Sequence, residues 1–405
     1  MKILAIESSA DESGVCIIAA EGIAGTDVNF KILGNVLASQ ISTHIPHGGI
    51  VPNLAKREHA KNLMPLLELA LREADMFRIE QGPTSLNNTL RDELKHVLER
   101  EPELFAQLIP FLESHGKPTI DTIAVTVGPG LEPALWVGVN FARALALVWN
   151  LPIVAVNHME GHIVISAVRP PVRGARSGDN AIAPIAFPAL ALLISGGHTE
   201  LVLMPAWFSY EKIGQTRDDA VGEAFDKVAR LLGLPYPGGP EISKLAKEAR
   251  EKNIFSPFPL PRGMIQSGDL DFSFSGLKTA VRRELEKLNE RHPTSLISDE
   301  EKCGIAREFE ESVADVFVAK VRTALEQTRA RTFIVGGGVA ANDYIKQRLS
   351  DMIEKEFPQV EMLICPAERA TDNALMIALA GYLRAGRGDF AKPEDLVANG
   401  NLSLG

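Results

Sequence analysis

The chain reads as an α/β protein built from two related halves. Three observations carry that reading: a strand–helix–strand order between Ile120 and His158, a second α/β set after Ala183, and a strand–turn–strand opening in each half. Two such halves are expected to face one another across a cleft. At ~150 residues per domain the 405 residues correspond to two or three domains. We place an N-terminal lobe over residues 1–156, with a helical insertion at about 76–118. A C-terminal lobe follows over 157–375, and a C-terminal helix and tail over 376–405 returns to the first lobe.

The elements follow in order. Met1 to Ala20 holds two β runs joined by a polar turn, Ser8 to Ser13, with Asp11 and Glu12 at its tip. From Leu54 to Ala74 the apolar residues fall at helical spacing, with Leu63, Leu66, Leu67, Ala70 and Leu71 on one face and Pro65 expected to kink the helix. Residues 76–118 turn charged and helix-forming between Gly82-Pro83 and Gly116-Lys117-Pro118, which predicts an inserted helical hairpin. A strand at 120–128, an apolar helix at 136–149 and a strand at 151–158 come next. The stretch 170–183, rich in Arg, Pro, Gly and Ser, predicts an exposed connection. Beyond it we expect strands at 189–196 and 199–205, helices at 220–232 and 300–329, a buried strand from Thr332, a helix at 343–355 and a strand near Met362.

Composition narrows the class. With 45% hydrophobic and 23% charged residues the chain is globular rather than disordered. Lys plus Arg number 42 against 52 Asp plus Glu, a net charge of −10, which excludes a nonspecific nucleic-acid coat but leaves room for a local basic groove. Three scattered cysteines fit a reducing compartment, and there is no CxxC zinc motif. Without a signal core or a long uncharged apolar stretch, the expected location is the cytoplasm, with no membrane partner.

The chemistry concentrates in a few places. His158 and His162 stand four apart just after a strand, so on a helix both reach one metal ion; one buried and one surface histidine is the plainer reading. Glu160 lies two after the first histidine, which is not the zinc-peptidase spacing. Asp372, before an apolar helix, is the candidate third ligand or an ordinary helix cap. Glycine turns at Ser195-Gly196-Gly197-His198 and Gly336-Gly337-Gly338 suit backbone approach to a nucleotide, or are simply tight turns; neither is a P-loop. Asp226 is a candidate for a sugar hydroxyl, or a surface carboxylate paired with its neighbouring Lys. Asp11 and Glu12 are turn residues or acid/base groups. His44, His47 and His59 read as surface histidines, and Arg169, Arg173 and Arg176 as a solvated loop able to touch phosphates.

Nine segments in one order carry more than these parts do: Ile6–Ser13, His47–Pro52, Gly128–Leu131, Asn157–His162, Leu192–Leu201, Asp218–Pro240, Asp271–Ala280, Gly337–Asn342 and Thr371–Gly381. Together they resemble the TsaD family, tRNA N6-adenosine threonylcarbamoyltransferases, over nearly the whole chain apart from residues 76–118. The resemblance implies an actin-like, Hsp70-like ATPase (ASKHA) fold of two α/β lobes with mixed sheets around a central cleft. It implies transfer of a threonylcarbamoyl group from threonylcarbamoyl adenylate to N6 of adenosine 37 in tRNAs reading codons that begin with A, forming t6A and releasing AMP. His158, His162 and Asp372 would then bind one divalent metal ion, Fe2+ or alternatively Zn2+. Leu193, Ile194, Ser195, Gly196, Gly197, Asp226, Gly239 and Asn342 would hold the adenylate, with Asp11 or Glu12 assisting the chemistry. Partners implied are tRNA, a TsaB-type paralogue and a TsaE-type ATPase, or a second copy of the chain as a homodimer; the start at Met1 without a transit segment favours the bacterial set.

The chain departs from the family pattern in places. Ala10 stands where the family usually has Cys, which excludes cysteine chemistry there, Asn53 replaces a usual Glu, and Glu132-Pro133 replaces a Val-Gly pair. The insertion puts a partner interface in that region in question. Competing readings are a metallopeptidase, a kinase-like ATPase of the same fold, and a non-catalytic scaffold of a modification complex.

Overall fold

The computed structural model describes residues 1–78, 86–169, 179–291 and 297–405. Residues 79–85 of the expected insertion lie outside them, as do residues 170–178 of the expected loop, including Arg173 and Arg176. The chain divides into two compact units. Unit 1 comprises Met1–His44, Ile50–Pro184 and Asp372–Ser403; unit 2 comprises Ile45–Gly49, Ile185–Thr371 and Leu404–Gly405. The first boundary thus falls at 184/185 rather than 156/157. The reason is packing: the helix His158–Ser166 lies against the helix Ala374–Ala385, and the strand Asp179–Ile182 pairs with Val28–Ser39.

The described sheet of unit 1 has seven strands in the order Ile153–Asn157, Thr122–Gly128, Lys2–Glu7, Glu12–Glu21, Val28–Ser39, Asp179–Ile182, Val168–Arg169. The predicted opening hairpin is present, Lys2–Glu7 running antiparallel to Glu12–Glu21 and parallel to Thr122–Gly128. Alternate residues of these strands serve opposite layers. Leu4, Ile6, Val15, Ile17, Ile123 and Val125 meet the helices Pro52–Glu73 and Glu132–Trp149. On the other face the helix Ala374–Ala385 sits so close that a Cβ on Gly381 would lie 2.4 Å from that of Ala124. In Pro52–Glu73 the predicted face is the buried one, and Pro65 lies inside the helix.

The insertion is helical as expected, Asn88–Val97 followed by Pro102–Ser114. Leu94, Leu104, Leu108 and Leu112 join the unit 1 core. Between the two helices the buried Glu101 carboxylate has Lys56 Nζ at 3.3 Å and accepts a hydrogen bond from Asn140 Nδ2 at 2.9 Å. The ion pair and the hydrogen bond together tie the insertion to the helices Pro52–Glu73 and Glu132–Trp149.

Unit 2 carries five strands in the order Ser209–Gln215, Thr199–Ala206, Ala189–Ile194, Thr332–Gly336, Glu361–Ile364. It too opens with a hairpin, Ala189–Ile194 antiparallel to Thr199–Ala206, and it too is mixed, since Thr332–Gly336 pairs in parallel with Ala189–Ile194 and Glu361–Ile364. Phe225, Phe272, Phe274, Phe309 and Phe317 fill its core between the sheet and the helices Val221–Leu231 and Asp299–Thr328. Ser298 starts the latter with a reciprocal capping box to Glu301. Both units are therefore α/β with mixed sheets. Among the described residues, no helix is long and apolar enough to cross a membrane.

The Gly381 contact leaves no room for a larger side chain. Gly381→Val should lower the urea midpoint by an amount equivalent to roughly 1–3 kcal/mol with an unchanged far-ultraviolet spectrum. An unaltered midpoint would show that the helix packs more loosely than described.

Candidate functional site

The strand Ile153–Asn157 ends in Asn157, whose side-chain oxygen accepts from Met159 N at 2.9 Å and caps the helix His158–Ser166. That helix brings His158 and His162 to one face, their rings 4.8 Å apart and edge to face. Both are buried, which removes the reading of one as a surface histidine. Asp372 meets them. Its Oδ1 lies 3.2 Å from His158 Nε2 and 3.2 Å from His162 Nε2, and one ligand atom from each of the three residues falls within 4.8 Å of the others. The helix-cap alternative is taken by the next residue: Asn373 Oδ1 accepts from Met376 N at 3.0 Å, leaving Asp372 to the histidines.

Glu7, which the sequence reading passed over, completes the arrangement. It is fully buried at the end of the first strand; Oε1 accepts from Ser9 N at 2.6 Å, and Oε2 accepts from Thr126 Oγ1 at 2.6 Å and faces His158 Nδ1 at 3.2 Å. Burial pushes its carboxyl up, but the His158 charge and hydrogen bond outweigh this and hold it below its ordinary value. An ionised Glu7 can only accept, so His158 Nδ1 carries a proton and Nε2 turns to Asp372.

The donor set fits a cation. Burial lowers the His158 proton affinity, yet the Asp372 and Glu7 charges raise it well above the ordinary imidazole value, so positive charge is strongly favoured at this point. Asp372 is held well below the usual carboxylate range because the His158 charge and both imidazole hydrogen bonds exceed the burial that would raise it. His162 Nδ1 is buried without a hydrogen-bond partner. Two imidazole nitrogens and a carboxylate oxygen converging in this way suit a divalent transition metal, with Glu7 as the outer carboxylate that orients a ligating histidine.

Asp11 and Glu12 lie in the same unit, at the hairpin turn. The turn is held by Leu131 N to Ser9 O at 2.7 Å, Gln40 N to Asp11 O at 2.8 Å, and His59 Nε2 to Ala10 O at 3.0 Å. The two acids are buried and hydrogen-bonded to each other. Burial, then the Asp11 and Asp372 charges, push Glu12 up to about 10, and burial also raises Asp11. The pair therefore retains at least one proton at neutral pH. His59 is no surface residue, and neither is His44; both are fully buried, while His47 is exposed. His59 accepts at Nδ1 from Ser13 Oγ at 2.8 Å, and burial lowers it to about 4, so it is neutral.

The expected adenylate residues all lie in unit 2. Leu193 and Ile194 are fully buried strand residues, which leaves only their backbone for a ligand. The turn after them is closed by Ser195 N to His198 O at 2.9 Å and His198 N to Ser195 Oγ at 3.1 Å. A Cβ added to Gly196, Gly197, Gly239 or Gly338 would meet nothing within 4 Å, and none has a positive φ. Packing does not demand glycine there, so an approaching ligand remains a reason for it. Asp226 accepts from Gly238 N at 2.7 Å, and its neighbour Lys227 pairs with Asp219 and Glu223. Asn342 caps the helix Asp343–Glu356 through Ile345 N and donates to Ser243 Oγ and Glu310 Oε1.

The sequence profile described as TsaD, tRNA N6-adenosine threonylcarbamoyltransferase, matches residues 31–79 and 111–379. The chain belongs to the TsaD family. A tRNA N6-adenosine threonylcarbamoyltransferase from Burkholderia ambifaria (strain MC40-6) is 40% identical over 390 residues, covering 96% of this chain and 93% of that protein. Another of the same name, from Burkholderia thailandensis, is 39% identical over 392 residues with the same coverage. The TsaD profile passes over residues 80–110, where the helical insertion sits. Among solved structures, full-length HypF in its phosphate- and nucleotide-bound form gives a TM-score of 0.48 at 12% identity, covering 95% of this chain and 46% of that one, a likeness too distant to decide more. The actin-like, Hsp70-like fold class comes with TsaD membership, and the mixed sheets of the two units agree with it.

Two outcomes follow. Removing the Glu7 charge frees the tautomer of His158, so Glu7→Gln should weaken divalent-metal binding about 10–100-fold in a calorimetric titration; unchanged affinity would deny Glu7 that role. His59 has a folded value of about 4, below its unfolded value of about 6.5, so its contribution is intact above pH 6.5 and is lost as pH falls towards 4. Chemical denaturation of His59→Gln against wild type should therefore show a shallower acid-side loss, by roughly 3 kcal/mol at most between those limits. Parallel curves would contradict the assignment.

Proposed function

We propose that the chain transfers the threonylcarbamoyl group of threonylcarbamoyl adenylate to N6 of adenosine 37 in tRNAs reading codons that begin with A, forming t6A and releasing AMP. The observation that carries this reading is the convergence of His158, His162 and Asp372 on one point with Glu7 behind them, in a chain 40% identical to transferases of that name. These three residues would hold iron(II), with zinc as the alternative. A bound divalent ion would supply Lewis-acid positive charge to an anionic substrate group.

The rest of the work belongs to the chain. An exocyclic adenine amine is a poor nucleophile, so rate comes from holding it against the activated carbonyl and from stabilising the departing phosphate. The turn Ser195–Gly197, with Gly239, Asp226 and Asn342, binds the adenylate; Leu193 and Ile194 contribute through their backbone alone, since their side chains are buried. Glu12, protonated at neutral pH, acts as a hydrogen-bond donor, and Asp11 beside it takes the proton that N6 gives up. Adenosine 37 stands in a single-stranded loop and needs no duplex melting. A net charge of −10 leaves much of the tRNA affinity to a local basic surface or to partners, for which a TsaB-type paralogue and a TsaE-type ATPase, or a second copy of the chain, are the candidates. A peptidase reading needs a carboxylate base at the metal, and the Glu160 that stands between the histidines is instead bound to Arg384.

The test supplies threonylcarbamoyl adenylate and unmodified tRNA to the purified protein, with and without partner proteins, and quantifies t6A nucleoside by mass spectrometry. Wild type should form t6A, and His158→Ala and Asp372→Ala should lose it by roughly two orders of magnitude or more. Undiminished product from Asp372→Ala, or none from folded, metal-loaded wild type with its partners, would overturn the reading.

A further inference from the structure

Glu160 belongs to the same short helix as the two histidines but takes no part in the site described above. At 100° per residue it lies about 200° round the helix from His158 and about 160° from His162, so it points away from the ligand face. It is completely buried, which for a carboxylate demands a partner. The partner is Arg384: its Nε donates to Oε2 and its Nη2 to Oε1 at 3.1 Å, a two-pronged pairing. Arg384 lies near the end of the helix Ala374–Ala385, about 15 Å along the helix axis from Ala374, which follows Asp372 and Asn373 at the entrance. Asp389, 3.7 Å from Arg384 Nη1, steadies the guanidinium from the far side.

We propose that the Glu160–Arg384 pair is a positioning device for the metal site, fixing the helix that carries both histidines against the helix that Asp372 opens and so setting the separation of the three ligands. This rests on the metal reading above. Between the pair and the ligands the two helices touch directly, since a Cβ on Gly161 would meet Met376 Cγ at 3.1 Å and Ile377 Cδ1 at 3.2 Å. Such close contact leaves little slack, and a slide at the Arg384 end is carried to Asp372. A bidentate fork fixes direction as well as distance, which a lysine at position 384 cannot do.

Cobalt(II) titration of the full chain, followed by its visible absorption bands and by competition with a chromophoric chelator, reads both affinity and ligand geometry. Glu160→Gln and Arg384→Lys should each weaken cobalt binding about 10–100-fold and shift the bands. Should Glu160→Gln fail to fold, Arg384→Lys, which keeps the charge, supplies the reading. Glu101→Gln breaks the buried pair with Lys56 in the same unit and is the control: it should lower the melting temperature and leave affinity and bands alone. Wild-type affinity and bands in both Arg384→Lys and Glu160→Gln would overturn the positioning role while the metal site stands, and so would an equal loss in Glu101→Gln. Wild type that binds no cobalt would overturn the positioning role and the metal reading together.

Discussion

The interaction on which the candidate site depends is the meeting of the Asp372 carboxylate with two imidazoles 3.2 Å away. It closes a long loop of sequence. The chain leaves unit 1 after Pro184, builds the long Ile185–Thr371 segment of unit 2, and re-enters unit 1 at Asp372, so the first residue of the returning segment is the one that completes the triad. A carboxylate arriving among buried histidines is tolerable only with positive charge at hand. That charge is what the His158 imidazolium offers without a metal and what a divalent ion offers with one.

The carboxylates around it divide into two kinds by what faces them. Glu7 and Asp372 are buried against histidines and hydrogen-bond donors, and they stay ionised. Asp11 and Glu12 are buried against each other, with Asp372 adding its own repulsion, and they keep a proton. Burial alone would have raised all four; the difference lies in partners. One unit thus presents ionised carboxylates beside the histidines and, at the same pH, an acid pair that retains a proton.

Much of this was legible in the sequence. The apolar β runs at residues 2–20 and 189–205 announced both hairpins, and the spacing of His158 and His162 announced their shared face. The strand Val28–Ser39 was missed because much of it is exposed and Gly34 interrupts its pattern; the helices Gly238–Glu251 and Ser275–Arg291 were missed because few of their residues are apolar. Glu7 was hidden for another reason: its partners Thr126 and His158 are more than a hundred residues away, and no local signal marks a buried carboxylate. The same distance hid the reason for Glu160, whose guanidinium partner stands 224 positions further on. His44 and His59 misled because histidines beside glycines look exposed until the sheet and helix close over them.

A metal held by His158, His162 and Asp372 is the centre of the proposed site. Anomalous diffraction from crystals of the protein grown with iron(II) or zinc, collected on both sides of the metal absorption edge, locates that ion without reference to activity. One strong anomalous peak bonded to His158, His162 and Asp372 is expected, and its loss in Asp372→Ala. A metal peak elsewhere, or one at the triad that survives Asp372→Ala undiminished, would contradict the proposed site.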